Sequence, residues 1–202
     1  MNMKENGIGV GVLGLGVVAG KVAAVLLEKA AELQEKVGCP LVLRKVKVLP
    51  QDMEKPQAKQ MPAGLLTTDD DEFFNTPGID IIVEAIGGEH PALEYHRRAL
   101  SSGRHVVTSN KELVAEHGCE LIELACKHGV SYLFEGSVGG GIPILRPISQ
   151  CLAANDISEI CGILNGTTNY ILTKMIREGL SFQAALAEAQ QNGYAERDPA
   201  AD

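Results

Sequence analysis

The sequence contains no tryptophan, and phenylalanine and tyrosine contribute only four residues each. With 45% of 202 residues hydrophobic but 4% aromatic, a core must be built from aliphatic side chains, and there are enough of them to exclude a disordered chain. No apolar run approaches the roughly 18 to 20 residues of a membrane-spanning helix. The start, "MNMKENGIGV", lacks the basic-then-apolar order of a secretory signal. Together these absences point to a cytoplasmic protein with no membrane partner. Lysine and arginine are scattered, 18 against 26 acidic residues for a net charge of −8. No basic stripe follows a phosphate backbone, so nucleic acid is not an expected partner.

Five cysteines, an odd number without a CxxC pair, fit reduced thiols better than a disulfide framework. Cys119 and Cys126 lie near His117 and His128, but structural zinc sites pair ligands two to four residues apart. The four are read as small residues on a helix face and surface histidines.

What is present alternates between β-branched runs and helical periods. Residues 8–13, 41–49, 79–86, 104–109 and 130–135 read as strands; 17–37, 91–102 and 112–128 carry helical spacing, each followed closely by glycine. That rhythm predicts an α/β fold, a Rossmann-like parallel sheet with helices on both faces. Residues 50–64, "PQDMEKPQAKQMPAG", read as an irregular excursion.

The first strand runs into glycines, and two frames fit a dinucleotide fingerprint: Gly9, Gly11, Gly14, or Gly14, Gly16, Ala19. Only the second has a full strand before it and a helix directly after. There Gly14 turns the chain, Gly16 clears space for a pyrophosphate, and Ala19 lets the helix approach the sheet. The phosphates would meet the free N–H groups of the helix from Val17. The acidic residue expected at the end of the second strand is missing; that strand ends "RKVKVLPQ", with Lys45 and Lys47 in it and Lys55 beyond. These residues favour NADP over NAD if they receive a 2′-phosphate, and read otherwise as a solvated edge. In "VVTSNKELV", Lys111 opens a helix for which Thr108, Ser109 or Asn110 serves as N-cap. A cation there opposes the helix dipole by about 0.3 to 1 kcal/mol. It stands at the carboxyl edge where an open parallel sheet holds its ligands, which suits a lysine handling a proton.

"VGVLGLGVVAGKV", "DIIVEAIGG", "GRHVVTSNKELVAEHG", "EGSVGGGIPI", "GILNGTTNYILTKM" and "GYAERDPAAD" occur in the order and spacing of homoserine dehydrogenase, and the chain resembles that family from end to end. The resemblance implies interconversion of L-homoserine and L-aspartate 4-semialdehyde with NAD or NADP, in the branch leading to threonine, methionine and isoleucine. It implies a dinucleotide-binding domain over residues 1–137, then the first part of an α+β substrate-binding and dimerisation domain over 138–202. By position, Gly14, Leu15, Gly16, Val17 and Val18 match its pyrophosphate turn. Gly87 and Gly88 match the segment beside the nicotinamide ribose. Thr108, Asn110 and Lys111 match "TANK", with Ser109 in place of Ala, and Lys111 takes the place of one of two active-site lysines. Tyr194 and Glu196 match the substrate-holding "GYAE".

Gly139 to Gly141 form a run that can curl so that carbonyls converge, and oxygen cages suit hard cations. The family binds a sodium-like ion here, which by position implies the carbonyls of Glu135, Val138, Gly140 and Ile142. "GILNGTTNYILTKM" reads as a strand end, a turn and a capped helix. Thr167 is a substrate candidate there, beside the reading of the whole cluster as a cap. Ser181 caps a further helix, whose Phe182, Ala185 and Leu186 are expected to face a core.

The family's acidic loop continues beyond Asp202 with a second Asp and the lysine assigned as proton donor. The expectation is therefore an N-terminal portion that, alone, is inactive, while the complete enzyme is a homodimer or larger. Two alternatives stay open: a non-catalytic NAD(P)-binding regulatory module, and another semialdehyde or dihydrodipicolinate-type reductase. The latter should lack "NGTTNYIL" followed by "GYAE".

Overall fold

A computed structural model describes residues 7–163 and 165–195. The chain divides into two compact units, Met1–Ser137 and Val138–Asp202.

The first unit holds six parallel strands: β1 (Ile8–Leu13), β2 (Leu41–Lys47), β3 (Leu66–Thr67), β4 (Ile81–Glu84), β5 (His105–Thr108) and β6 (Tyr132–Leu133). Their order is β3-β2-β1-β4-β5-β6. The chain direction across the sheet therefore reverses between β1 and β4, and a crevice opens outside the strand ends at such a point. Register sets Leu13 opposite both Lys47 and Glu84, and Glu84 opposite Thr108, so four strand termini form one edge.

Alternation along β1 feeds two cores. Val10 and Val12 join Leu43 and Val46 under α1 (Val17–Glu28), whose Ala19, Ala23 and Leu26 supply the facing stripe. On the other face, Phe73, Ile82, Leu100, Leu113 and Leu121 form a second cluster. Gly9 and Gly11 point to that side, where a Cβ at Gly11 would stand 2.8 Å from the Phe73 ring and one at Gly9 would run into the Gly78 carbonyl. These two glycines serve packing within the strand.

The single helix expected over 17–37 is two, α1 and α2 (Ala30–Val37), separated at Lys29 with φ −111°. No proline or glycine marks the break. The buried stripe ends at Leu26, and α2 has no fully buried residue. The excursion at 50–64 is partly regular: a 3-10 turn at Pro50–Glu54 and α3 (Pro56–Lys59), each opened by a proline. β3 and α4 (Asp70–Asn75) were not anticipated, although Asp69 caps α4 by accepting from Glu72 N. The remaining helices are α5 (Ala92–Ser101) and α6 (Lys111–His128). Of the three cap candidates for α6, Asn110 does the capping, its side chain accepting from Leu113 N.

The second unit carries a π-turn at Pro147–Cys151 and the pair α7 (Gly166–Glu178) and α8 (Phe182–Gln191). Among its described residues there is no strand, so the strand end expected before α7 is not seen. Ile171, Ala185 and Ala189 form a small core with Leu186 packed on it, whereas Phe182, expected in that core, is half exposed. Tyr170 donates to Glu188 at 2.6 Å, and Lys174 bridges Glu178 and Glu188.

Candidate dinucleotide site

The carboxyl edge of β1 leads directly into a turn. Gly14 has φ 99°, a conformation open to glycine, and its N–H donates to Lys47 O at 2.8 Å. Gly16 is the N-cap of α1; no side chain caps this helix, and its first turn carries no acid. Among the described residues no side chain caps its leading N–H groups, which is the arrangement that receives an anion. A Cβ at Gly16 would meet nothing within 4 Å, so the glycine leaves open space in front of them. Val17 and Val18 follow, exposed, in the first turn.

A cleft of about 420 Å³ opens here, lined by Gly14, Leu15 and Gly16, by Lys47 to Leu49 with Asp52 and Lys55, and by Ala85 to Gly87 with Tyr95. Its residues come from both sides of the β1/β4 reversal. Of the expected cofactor residues, Gly14, Leu15, Gly16 and Gly87 line it, while Val17, Val18, Gly88, Thr108, Asn110 and Lys111 do not.

Gly88, Thr108 and Asn110 belong to a hydrogen-bonded cluster at the flank of the cleft. Asn110 donates through Nδ2 to Gly88 O at 2.7 Å, and its N–H donates to Thr108 Oγ1 at 2.9 Å. Lys111 follows, exposed, at the first position of α6. Beneath the cluster lies Glu84, fully buried, a charged residue in an otherwise apolar strand. Its Oε1 accepts from Ile86 N at 2.6 Å and Gly87 N at 3.3 Å; its Oε2 accepts from Thr108 Oγ1 at 2.6 Å and lies 3.1 Å from His96 Nε2. Burial pushes the Glu84 carboxyl up, but the contacts with His96, Thr108 and Ile86 N outweigh it and hold the group below the usual carboxylate range. Neither Glu84 nor His96 is among the residues the sequence singled out. The signal was legible, since an acid inside "IDIIVEAI" must be paired once that strand is buried.

On the other side of the cleft the basic residues are engaged. Lys47 pairs with Asp70 at 2.9 Å and Lys55 with Asp52 at 2.7 Å, both lysines lining the space. Asp70 also accepts from Tyr95 at 2.8 Å; burial raises its carboxyl, and the bonds from Lys47 and Tyr95 more than reverse that. Lys45 reaches away to Glu72 and Gly64 O and does not line the cleft, a correction to its expected place at the ribose edge. Asp52, three residues past Leu49 rather than at the strand end, was not anticipated.

In the second unit, Thr167 is buried and donates to Tyr194 O at 2.7 Å, which brings two of the expected substrate residues together. The Tyr194 side chain is exposed, its ring 5.0 Å from that of Tyr170. Glu196 lies outside the described residues. Gly139 and Gly140 have φ 69° and 61°, and Glu135 belongs to a 3-10 turn at the end of the first unit. Cys119 and Cys126 are both exposed, and no cluster of three metal-ligating side chains occurs among the described residues. No helix among the described residues is long and apolar enough to cross a membrane.

A six-stranded parallel sheet with a glycine turn entering an uncapped helix beside the strand-order reversal defines a Rossmann-type fold, the class that binds dinucleotides at this edge. A family model described as "Homoserine dehydrogenase, NAD binding domain" matches residues 14–135, and one described as "Homoserine dehydrogenase" matches 143–202. The chain belongs to the homoserine dehydrogenase family. It is 43% identical over 195 residues to the homoserine dehydrogenase of Bacillus subtilis, covering 96% of this chain and 45% of that protein, and 41% identical over 197 residues to that of Neisseria gonorrhoeae. Among solved structures it is similar to a homoserine dehydrogenase from Thiobacillus denitrificans, with TM-score 0.84 and 43% identity over 95% of this chain and 44% of that one. A hyperthermophilic archaeal homoserine dehydrogenase in complex with NADPH gives TM-score 0.79 at 25% identity, over 96% of this chain and 64% of that one. The chain thus spans less than half the length of the curated relatives it matches.

Proposed function

We propose that this chain supplies the dinucleotide-binding domain (1–137) and the first part of the substrate-binding and dimerisation domain (138–202) of a cytoplasmic enzyme that interconverts L-homoserine and L-aspartate 4-semialdehyde with NAD(P). That reaction lies in the branch leading to threonine, methionine and isoleucine. The observation that carries this reading is the open space at Gly16, in front of uncapped N–H groups and continuous with the cleft at the β1/β4 reversal.

Gly14 to Val18 would hold the pyrophosphate, and Gly87, Gly88, Thr108 and Asn110 the nicotinamide ribose. When bound, the dinucleotide supplies the hydride donor or acceptor. Lys111, on the flank where that end would lie, would act with the lysine the family carries beyond Asp202 to stabilise and protonate the developing alkoxide, a task suited to pre-positioned cations. Thr167, Tyr194 and Glu196 hold the substrate, the Glu196 carboxylate taking its amino group. A monovalent cation such as sodium on the carbonyls of Glu135, Val138, Gly140 and Ile142 has a structural role, and the complete enzyme is a homodimer or larger assembly.

NADP is favoured over NAD because no carboxylate ends β2 and two lysines line the cleft. Asp52, paired with Lys55, narrows that preference without reversing it. Titrating the chain with NADPH and NADH, and assaying homoserine-dependent cofactor reduction by the chain and by a full-length enzyme carrying it, tests the reading. Binding by both with turnover by the full-length enzyme is expected. Absence of dinucleotide binding would refute the cofactor assignment, and binding without turnover in the full-length protein would favour a sensing module instead.

A further inference from the structure

We propose that the buried Glu84 is a positioning residue for the nicotinamide-ribose half of the dinucleotide site, fixing two turns of the cleft flank through one carboxylate. The inference rests on the dinucleotide reading above and extends it to a side chain that contacts no ligand.

The geometry forms a closed circuit. One oxygen of Glu84 holds the N–H groups of Ile86 and Gly87; the other takes the Thr108 hydroxyl proton. A carboxylate only accepts, so Thr108 must donate to it and is left with lone pairs for Asn110 N. Asn110, fixed also as the cap of α6, then holds Gly88 O. The β4–α5 turn is thus gripped at Gly87 from below and at Gly88 from the side, and both grips trace back to Glu84. Gly87 and Gly88 have φ 73° and 71°, and a Cβ at either would meet nothing within 4 Å. These two residues have no side chains to hold their place, whereas the following Glu89 has its own bond, 2.8 Å from His117 Nε2.

A structural role alone is a poor account of this group. Burying a carboxylate carries a desolvation cost of several kcal/mol, and an apolar residue of similar volume fills a core as well or better. His96 offsets part of that cost from α5, and its Nδ1 faces the Tyr132 hydroxyl at 3.3 Å. Burial, and then the Glu84 charge, raise the Tyr132 phenol above its ordinary range, which keeps it protonated.

Glu84→Gln tests the circuit because an amide cannot accept on both atoms. With its NH2 toward Ile86 N two donors meet; with its NH2 toward Thr108 and His96, both partners must turn round to accept, and the Thr108 hydroxyl proton loses its acceptor. Thr108→Val removes the hydroxyl at similar volume, and Thr108→Ser restores it. The probes are NADPH and NADH, and for the adenosine half alone 2′,5′-ADP and 5′-ADP, titrated against the 202-residue chain. In Glu84→Gln and Thr108→Val, affinity for the intact dinucleotides should fall about tenfold or more, the loss expected when a bond to a charged group is broken. Affinity for the adenosine halves should stay within about twofold of wild type. Thr108→Ser, which returns the hydroxyl, should recover most of the affinity that Thr108→Val loses.

Parallel losses for whole and half ligands, or no loss for either, would overturn the proposal. If Glu84→Gln does not fold, the Thr108 pair decides between the same outcomes. Failure of the unaltered chain to bind any probe would instead overturn the dinucleotide reading, and this inference with it.

Discussion

Exchanging Gly14 and Gly16 for alanine, one at a time, should separate the shape of the glycine turn from its use. At Gly14 the backbone has φ 99°, and a Cβ would stand 2.8 Å from Ile86 Cγ2 and 3.3 Å from Ala85 O. Holding an L-residue at positive φ costs about 1–2 kcal/mol, and forcing a methyl into contact adds about 1–3 kcal/mol. Ile86 is 37% exposed, so its methyl yields and the lower half of that range applies. The expected sum is about 2–4 kcal/mol, a large part of the 5–15 kcal/mol that stabilises an ordinary domain. In a chain of this size each kcal/mol moves Tm by about 2–4 °C, which predicts a fall of about 4–16 °C. At Gly16 φ is −72° and a Cβ has open space, so Gly16→Ala should leave Tm within about 2 °C of wild type. The methyl instead stands where a phosphate would approach, and an overlap of about 1–3 kcal/mol lowers dinucleotide affinity about fivefold to 150-fold. Thermal unfolding followed by circular dichroism, with NADPH titration of each variant, reads both quantities. A Gly14→Ala chain as stable as wild type, or a Gly16→Ala chain that binds NADPH unimpaired, would refute the reasoning.

Lys111→Ala in a full-length enzyme carrying this sequence should lose mainly kcat and keep its affinity for the cofactor; steady-state kinetics showing near-normal turnover would reduce Lys111 to an exposed residue at a helix start. NADPH should bind at least as tightly as NADH, with a preference that shrinks on adding salt and in Lys55→Ala; a clear NADH preference by titration would contradict the lysine argument. The lowered Glu84 carboxyl has a definite sign: its contribution to stability is complete above about pH 4.5 and is lost as pH falls through the lower folded value. Denaturant unfolding at stepped pH should therefore find the stability gap between wild type and Glu84→Gln constant near neutrality and shrinking below pH 4.5, and a gap that shrinks on raising the pH would contradict the assignment. Ile142, Ile160, Ile163 and Ile176 are each more than half exposed, so the isolated chain should self-associate, and sedimentation of a clean monomer would argue against that.

How far the fold was legible follows from the strength of each local signal. β1 and α6 carry periodic patterns bounded by glycine and their limits were read to within about a residue, whereas α1 was read correctly only at its start. β3, with two residues, has too little pattern to register, and the break at Lys29 depends on where the buried stripe stops, which is a tertiary fact. The strands extend less far than their apolar runs because pairing ends at the edge set by register, at Lys47, Glu84 and Thr108. At the site, the glycine turn and the segment Thr108 to Lys111 stood out because their residue types are dictated by backbone geometry and capping. The engagement of Lys45 with Glu72, and the convergence of Glu84, His96 and Tyr132 from three separate elements, depend on contacts 12 to 36 residues apart in the chain. No local pattern encodes such pairings.

Hydrogen–deuterium exchange of the 202-residue chain with and without NADPH tests the central claim most directly, because it reports where the dinucleotide acts. Protection is predicted in the segments containing Gly14 to Val18, Gly87 and Gly88, and Thr108 to Lys111, with α7 and α8 unchanged. Protection confined to other segments, or none at saturating NADPH, would contradict the placement of the dinucleotide at the carboxyl edge of this sheet.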